Sequence, residues 1–129
     1  MNKQEILSKV DHTLLKQTAT WEQIKEICDE GAEYQTASVC IPPCFVKRAK
    51  EYVGDKVAIC TVIGFPNGNM TKATKVFETE DAVKNGADEI DMMANIPAIK
   101  NRDFEYVKND IKAVKEAIGD HILKVIIEN

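Results

Sequence analysis

The sequence alternates amphipathic helical segments with short runs that are apolar at nearly every position. Four such runs occur, at 37–41, 57–63, 89–93 and 122–127. Strands that are apolar on both faces are typical of parallel sheets covered on both sides. Helices alternating with such strands predict right-handed βαβ units. The predicted fold class is therefore α/β, with four parallel strands and flanking helices.

Capping residues and glycines set the predicted helix boundaries. Thr20 and Asp103 each precede an apolar stripe at helical spacing, and a further helix follows Pro43. Thr71 is predicted to cap one more helix, whose buried side chains would be Val76, Phe77 and Val83. Glycines are predicted to terminate the helices as left-handed C-caps, at Gly31, Gly54, Gly86 and Gly119.

The turn after the first of these apolar runs separates two kinds of parallel-sheet fold. A dinucleotide-binding fold carries G-x-G-x-x-G there, whereas Ile41 is followed by Pro42-Pro43-Cys44-Phe45. The strand spacing suits a TIM (β/α)8 barrel, which takes about 250 residues. The chain has 129 residues. We therefore predict that residues 1–129 form a single domain equivalent to half of such a barrel.

Composition excludes several classes of function. The formal net charge of −4 argues against a general nucleic-acid partner. No apolar run approaches the roughly 20 residues of a membrane span, and the N-terminus does not resemble a signal peptide. A cytoplasmic location is therefore expected. The cysteines lack the paired spacing of a zinc site and are read as reduced thiols, with no metal predicted: Cys28, Cys40, Cys44 and Cys60.

Two charged residues interrupt the apolar strands. Asp91 stands between Ile90 and Met92, and Lys124 stands between Leu123 and Val125. Sequential strands usually neighbour each other, so the two side chains are expected to face each other. One interpretation is an ion pair that fixes strand register. The other is an acid–base couple, in which desolvation lowers the lysine pKa and raises the aspartate pKa. The residues alone favour neither.

Other polar residues lie at predicted element ends. The residue types of Asp11-His12-Thr13 favour a segment that ends the first short helix with an Asx-type cap. Thr61 either projects to the inner side of the sheet or bonds to backbone. The segment from Gly64 to Gly68 is either a simple tight turn or a loop that lines a catalytic face.

Five segments resemble deoxyribose-phosphate aldolase, in order along nearly the whole chain. They are Asp11-His12-Thr13-Leu14-Leu15-Lys16, Ala37-Ser38-Val39-Cys40-Ile41, Cys60-Thr61-Val62-Ile63-Gly64-Phe65-Pro66, Asn85-Gly86-Ala87-Asp88-Glu89-Ile90-Asp91-Met92 and Leu123-Lys124-Val125-Ile126-Ile127-Glu128. The resemblance implies the N-terminal half of a (β/α)8 barrel. It also implies a metal-free, cofactor-free class I aldolase that reversibly cleaves 2-deoxyribose 5-phosphate into acetaldehyde and glyceraldehyde 3-phosphate, in deoxyribonucleotide catabolism.

The resemblance also implies site residues. Asp91 matches the catalytic proton donor and acceptor, and Lys124 matches a lysine lining the site. Asp11, Cys40 and Phe65 match positions around the same substrate pocket. The family's Schiff-base lysine lies in a later Lys-Thr-Ser-Thr-Gly segment, which is absent from these 129 residues. The later phosphate-binding glycines are absent too, and Pro97 stands where glycine is expected, closely after the strand that carries Asp91.

Three hypotheses about function follow. In the first, the chain is a truncated aldolase that is inactive until the other half is supplied. In the second, it is an enzyme that uses Lys124 as its reactive amine. In the third, it is a non-catalytic scaffold or binding module. The first is favoured. An open half-barrel would also expose two sheet edges, so homodimerisation or other self-association is expected.

Overall fold

A computed structural model describes all 129 residues. Its centre is one sheet in which consecutive strands are neighbours and every pair is parallel. The strands are β1 (Asp11–Thr13), β2 (Ser38–Ile41), β3 (Ile59–Ile63), β4 (Glu89–Met93) and β5 (Ile122–Ile126). The α/β class with parallel strands is thus confirmed.

Helices connect the strands in the order expected of βαβ units. They are α1 (Lys3–Leu7), α2 (Trp21–Tyr34), α3 (Val46–Val53), α4 (Lys72–Lys84), α5 (Ile96–Lys100) and α6 (Phe104–Ile118), with a 3-10 turn at Pro43–Phe45. The predicted cap of α2 is a full capping box between Thr20 and Gln23, and Asp103 accepts from the Tyr106 amide. None of the helices is long and apolar enough to cross a membrane.

One face of the sheet packs against the helices and forms the main core. Alternate strand residues point to this face, which we call the outer face; Val39, Ile41, Ile59, Ile63 and Ile90 are all fully buried there. The helices contribute Ile24, Cys28, Val114 and Ile118 to the same cluster. The intervening strand residues therefore point to the opposite, inner face.

The sheet has five strands rather than the predicted four, because Asp11–Thr13 is a strand and not a helix stop. Asp11, His12 and Thr13 pair with Ser38, Val39 and Cys40. A three-residue strand carries too little periodicity to be recognised locally. Pairing with β2 supplies the backbone partners that define it.

Two helix predictions are wrong in detail. Helix α2 continues past Gly31 to Tyr34, and its C-cap is Gln35, which adopts the left-handed conformation. Gly31 instead allows the helix to approach β2 closely, since a Cβ there would lie 2.3 Å from Val39 Cγ1. Helix α4 is also rotated from the predicted orientation. Its buried residues are Lys75, Thr79 and Ala82, while Phe77 is 74% exposed. Thr71 precedes α4 without a side-chain capping bond.

Pro97 occupies the first turn of α5, whose N-cap Asn95 accepts from the Ala98 amide. A proline is well tolerated there, because the first-turn amides have no partner within the helix. The residue therefore begins a short helix after β4.

We predict a large loss of stability for Gly68→Ala. Gly68 has a φ of +70°, and an added Cβ would lie 2.0 Å from the Ala94 carbonyl oxygen just beyond β4. Backbone strain of about 1–3 kcal/mol would add to a steric penalty of about 1–3 kcal/mol. Urea unfolding measures the change. Gly54→Ala is the matched control, since Gly54 also has a positive φ but no atom within 4 Å of the new Cβ; equal losses in both variants would contradict the steric argument.

Candidate active site

The inner face of the sheet is strongly curved. Lys124 lies on β5 and Asp11 on β1, the two edge strands, yet Lys124 Nζ lies 2.7 Å from Asp11 Oδ2. In a flat sheet these strands would be separated by about 19 Å, four times the inter-strand spacing. Their contact requires the curvature of a barrel wall. The same curvature brings the polar side chains of the inner face together.

Lys124 is the centre of an ionic cluster on this face. Its ammonium donates hydrogen bonds to Asp11 Oδ2 at 2.7 Å and to Glu89 Oε1 at 2.8 Å. Asp11 is held in turn by Ser38, whose hydroxyl donates to Asp11 Oδ1 at 2.7 Å. The cluster therefore links β1, β2, β4 and β5 through side chains.

Asp91 lies directly opposite Lys124 in the β4–β5 register, as predicted. Its Oδ1 is 3.3 Å from Lys124 Nζ, within ion-pair distance. The aligned hydrogen bonds of the ammonium go to the other two carboxylates, so the buried Asp91 Oδ1 has no hydrogen-bond partner. This carboxylate oxygen therefore has an unused hydrogen-bond acceptor position beside the Lys124 ammonium.

Two thiols lie near the Asp91 carboxylate. Cys40 Sγ is 3.9 Å from Asp91 Oδ2, and Cys60 is the strand partner of Cys40. Both cysteines are buried, together with Val62 and against Leu15. A hydrogen bond with Cys40, together with burial, raises the pKa of the Cys60 thiol well above its usual value. Cys60 is therefore a neutral thiol near neutral pH.

The pKa of Lys124 is raised, whereas the acid–base interpretation of the sequence expected it to be lowered. Burial lowers the pKa of Lys124, but the hydrogen bonds with Asp11 and Glu89 raise it by more, and the net shift is upward. Burial raises the pKa of Asp11, but the hydrogen bonds that it accepts from Lys124 and Ser38 together lower it by more, and the net shift is downward. Lys124 is thus an ammonium ion at neutral pH, whereas desolvation alone predicts a more readily deprotonated amine.

Two other candidates lie apart from this cluster. Thr61 points to the outer face, where its hydroxyl donates to the Ile41 carbonyl at 2.7 Å, which is the backbone-bonding alternative. Phe65 follows β3, is 41% exposed, and lines a cleft of about 430 Å³ against α4. That cleft also contains Met70, Phe77 and Glu78. Its lining includes none of the residues that surround Lys124.

Sequence reasoning missed three members of the inner face: Ser38, Cys60 and Glu89. Glu89 could have been predicted from the sequence, since it lies two residues before Asp91 and its side chain therefore points to the same face of the sheet. Sequence reasoning also missed the ion pair between Lys75 and Asp110, which are 0% and 1% exposed with Nζ and Oδ2 2.6 Å apart. Nothing in the apolar pattern of α4 indicates that this lysine is buried.

The Asp11–Lys124 pair predicts a specific pH dependence. The folded-state pKa of Asp11 lies below its ordinary value of 3.8. Its contribution to stability is therefore present above pH 3.8 and is lost as the pH falls through the folded-state pKa. At pH 7 we expect the free energy of unfolding to be larger for the wild-type chain than for Asp11→Asn. Below pH 3.8 this difference should shrink. Urea titrations across pH 2–7 measure it.

Glu116→Gln is the control for that titration, since Glu116 is an exposed acid on α6. It should show little difference from wild type at any pH. A difference between wild type and Asp11→Asn that stays constant down to pH 2 would contradict the assignment.

The model of the DeoC/LacD family of aldolases matches residues 6–129. This chain belongs to the DeoC/LacD aldolase family. A deoxyribose-phosphate aldolase from Clostridioides difficile (strain 630) is 61% identical over 123 residues, which cover 95% of this chain and 56% of the relative.

Solved structures agree with the barrel-wall interpretation. QR15, an aldolase, superposes with a TM-score of 0.91 at 31% identity, covering 96% of this chain and 56% of that one. A tetrameric deoxyribose phosphate aldolase from Aeropyrum pernix gives a TM-score of 0.82 at 25% identity, covering 97% of this chain and 53% of that one. This DeoC/LacD chain spans about half the length of the curated relatives it matches.

Proposed function

We propose that this chain forms the acid–base wall of a deoxyribose-phosphate aldolase site. The reaction is the reversible, Schiff-base cleavage of 2-deoxyribose 5-phosphate to acetaldehyde and glyceraldehyde 3-phosphate. The observation that carries the proposal is the buried Oδ1 of Asp91, which makes no hydrogen bond and lies beside the Lys124 ammonium. Membership of the family and 61% identity to a deoxyribose-phosphate aldolase support the choice of reaction.

The proposed step assigns a distinct role to Asp91. Acetaldehyde takes two carbons of the substrate, so the bond that breaks joins C2 and C3. A Schiff base at C1 accepts the electron pair of that bond, while the C3 hydroxyl loses its proton. Asp91 is the proposed acceptor of this proton in cleavage and its donor in the reverse direction, since its Oδ1 makes no hydrogen bond.

The other inner-face residues take supporting roles. Lys124 supplies positive charge next to Asp91, and Asp11 holds the Lys124 ammonium in place. Cys40 packs against Asp91 Oδ2. We propose Phe65 as a substrate contact, because it follows β3 at the carboxyl end of the sheet, where barrel enzymes bind substrate.

Lys124 is a poor candidate for the Schiff-base amine. Its pKa is raised, and two carboxylates accept its hydrogen bonds, so the unprotonated nitrogen needed for attack on a carbonyl is scarce. We therefore propose that the nucleophilic lysine and the phosphate site come from outside these 129 residues. On this proposal the 129 residues by themselves are catalytically inactive.

A complementation experiment tests the proposal. The chain is mixed with, and separately fused to, the part of the Clostridioides difficile aldolase that it does not match. We expect acetaldehyde release from 2-deoxyribose 5-phosphate only when both parts are present. Borohydride reduction with acetaldehyde should then label a lysine in the supplied part. Rapid, Asp91-dependent labelling of Lys124 in the 129-residue chain alone would overturn the assignment of roles.

We also propose that the chain self-associates. The edge strands β1 and β5 each have a strand partner on one side only, and Ile122 and Ile127 are exposed at the β5 edge. Unpaired edges favour association with another strand, and the Aeropyrum pernix structure is a tetramer. Sedimentation equilibrium should show a dimer or larger species. A well-folded monomer at high concentration would contradict this.

A further inference from the structure

The inner face holds three metal-ligating side chains within reach of one another. They are Cys40, Cys60 and Asp91, and one ligand atom from each lies within 4.8 Å of the other two. Cys40 and Asp91 are 51 residues apart in the chain. Only the pairing of β2, β3 and β4 brings the three together. No spacing motif in the sequence marks them.

We propose that these residues form a binding site for a thiophilic divalent cation such as Zn²⁺ or Cd²⁺. Two thiolates and one carboxylate form a ligand set suited to such ions and unsuited to Mg²⁺ or Ca²⁺, which take oxygen ligands. Three protein ligands leave a fourth tetrahedral position for water or another ligand. Zinc–sulfur bonds of about 2.3 Å need only a modest contraction of the present cluster.

The charge of the inner face supports a cation there. Asp11, Glu89 and Asp91 surround a single ammonium, that of Lys124, so three carboxylates face one positive charge. Asp91 presents its two oxygens to different neighbours. Oδ2 faces Cys40, while Oδ1 faces Lys124. A metal bound through Oδ2 therefore leaves the Lys124 contact in place.

Binding exchanges protons for the metal with no change of oxidation state. The ion forms two metal–sulfur bonds, and the two thiol protons leave to solvent. The bound metal also occupies Asp91 Oδ2, while Oδ1, the proposed proton acceptor, stays beside Lys124. The binding itself does not depend on the proposed aldolase activity, and a direct binding measurement separates the two.

Titration of the reduced 129-residue chain with Cd²⁺ tests the site. A sulfur-to-cadmium charge-transfer band in the ultraviolet should saturate at one ion per chain, with Mg²⁺ giving no response. Cys40→Ser and Cys60→Ser should each weaken Cd²⁺ binding by more than about 100-fold. This loss is larger than is usual when a residue that only hydrogen-bonds to a metal ligand is removed. Cys44→Ser is the matched control, because Cys44 is exposed and outside the cluster.

A second measurement on the wild-type chain avoids any folding defect in the variants. Zn²⁺ should slow alkylation of Cys40 and Cys60, mapped by digestion, while the exposed Cys44 reacts at its metal-free rate. An unchanged band in the Cys40→Ser/Cys60→Ser double variant would overturn the proposal. Unaltered alkylation of Cys40 and Cys60 at saturating Zn²⁺ would overturn it equally.

Discussion

Asp91→Asn should lower the turnover number of the complemented or fused aldolase by about 10²–10⁴-fold, the usual contribution of a general acid–base group. The asparagine keeps the size of the side chain but cannot accept the proton of the substrate hydroxyl. Substrate binding should change far less, since Asp91 acts on the reacting proton. Steady-state kinetics with 2-deoxyribose 5-phosphate separates kcat from KM.

The control for this variant is Asp120→Asn, an exposed acid beyond α6. It should retain wild-type kinetics. Circular dichroism should show that Asp91→Asn is folded, because its Oδ1 makes no hydrogen bond in the wild type. A kcat within threefold of wild type would remove Asp91 from the proton-transfer step. Loss confined to KM would instead make it a binding residue.

Lys75→Met should destabilise the fold by about 3–5 kcal/mol, because it leaves the Asp110 carboxylate buried without its partner. Lys75 Nζ lies 2.6 Å from Asp110 Oδ2 and donates to the Met93 carbonyl at 3.0 Å. The pair therefore joins α4 and α6 to the end of β4. Asp110→Leu should be similarly damaging. Urea unfolding measures both.

The double variant Lys75→Met/Asp110→Leu should recover most of the lost stability. Well-packed apolar side chains often replace a buried ion pair without loss, and Asp110 Oδ1 already lacks a hydrogen-bond partner. Lys84→Met, an exposed lysine of α4, is the control and should change stability by less than about 0.5 kcal/mol. Additive losses in the double variant would contradict a direct coupling between Lys75 and Asp110.

The pairing of Asp91 with Lys124 was predictable from sequence. Both residues interrupt apolar strands that follow one another in the chain, and such strands usually lie side by side. The structure pairs them in register. The state of the lysine was not predictable, because its pKa depends on Asp11 and Glu89. Asp11 lies 113 residues away in the chain.

The orientation of helix α4 is a second feature that the sequence does not predict. Its apolar residues predict that Phe77 is buried, yet Lys75 takes the inward position. The reason is the partner on α6, because a buried Asp110 makes an inward lysine favourable. A residue pattern within one helix does not contain that information.

The parallel α/β class, the family and the opposition of Asp91 and Lys124 were all predictable from the amino-acid sequence. These follow from local periodicity, the order of the elements and motifs within continuous segments. The three-dimensional fold was needed to show that Asp11 forms a strand, that it meets Lys124 across the sheet, and that two thiols lie near Asp91. Those contacts depend on sheet curvature and on the rotation of packed helices, which arise from interactions between segments distant in the chain.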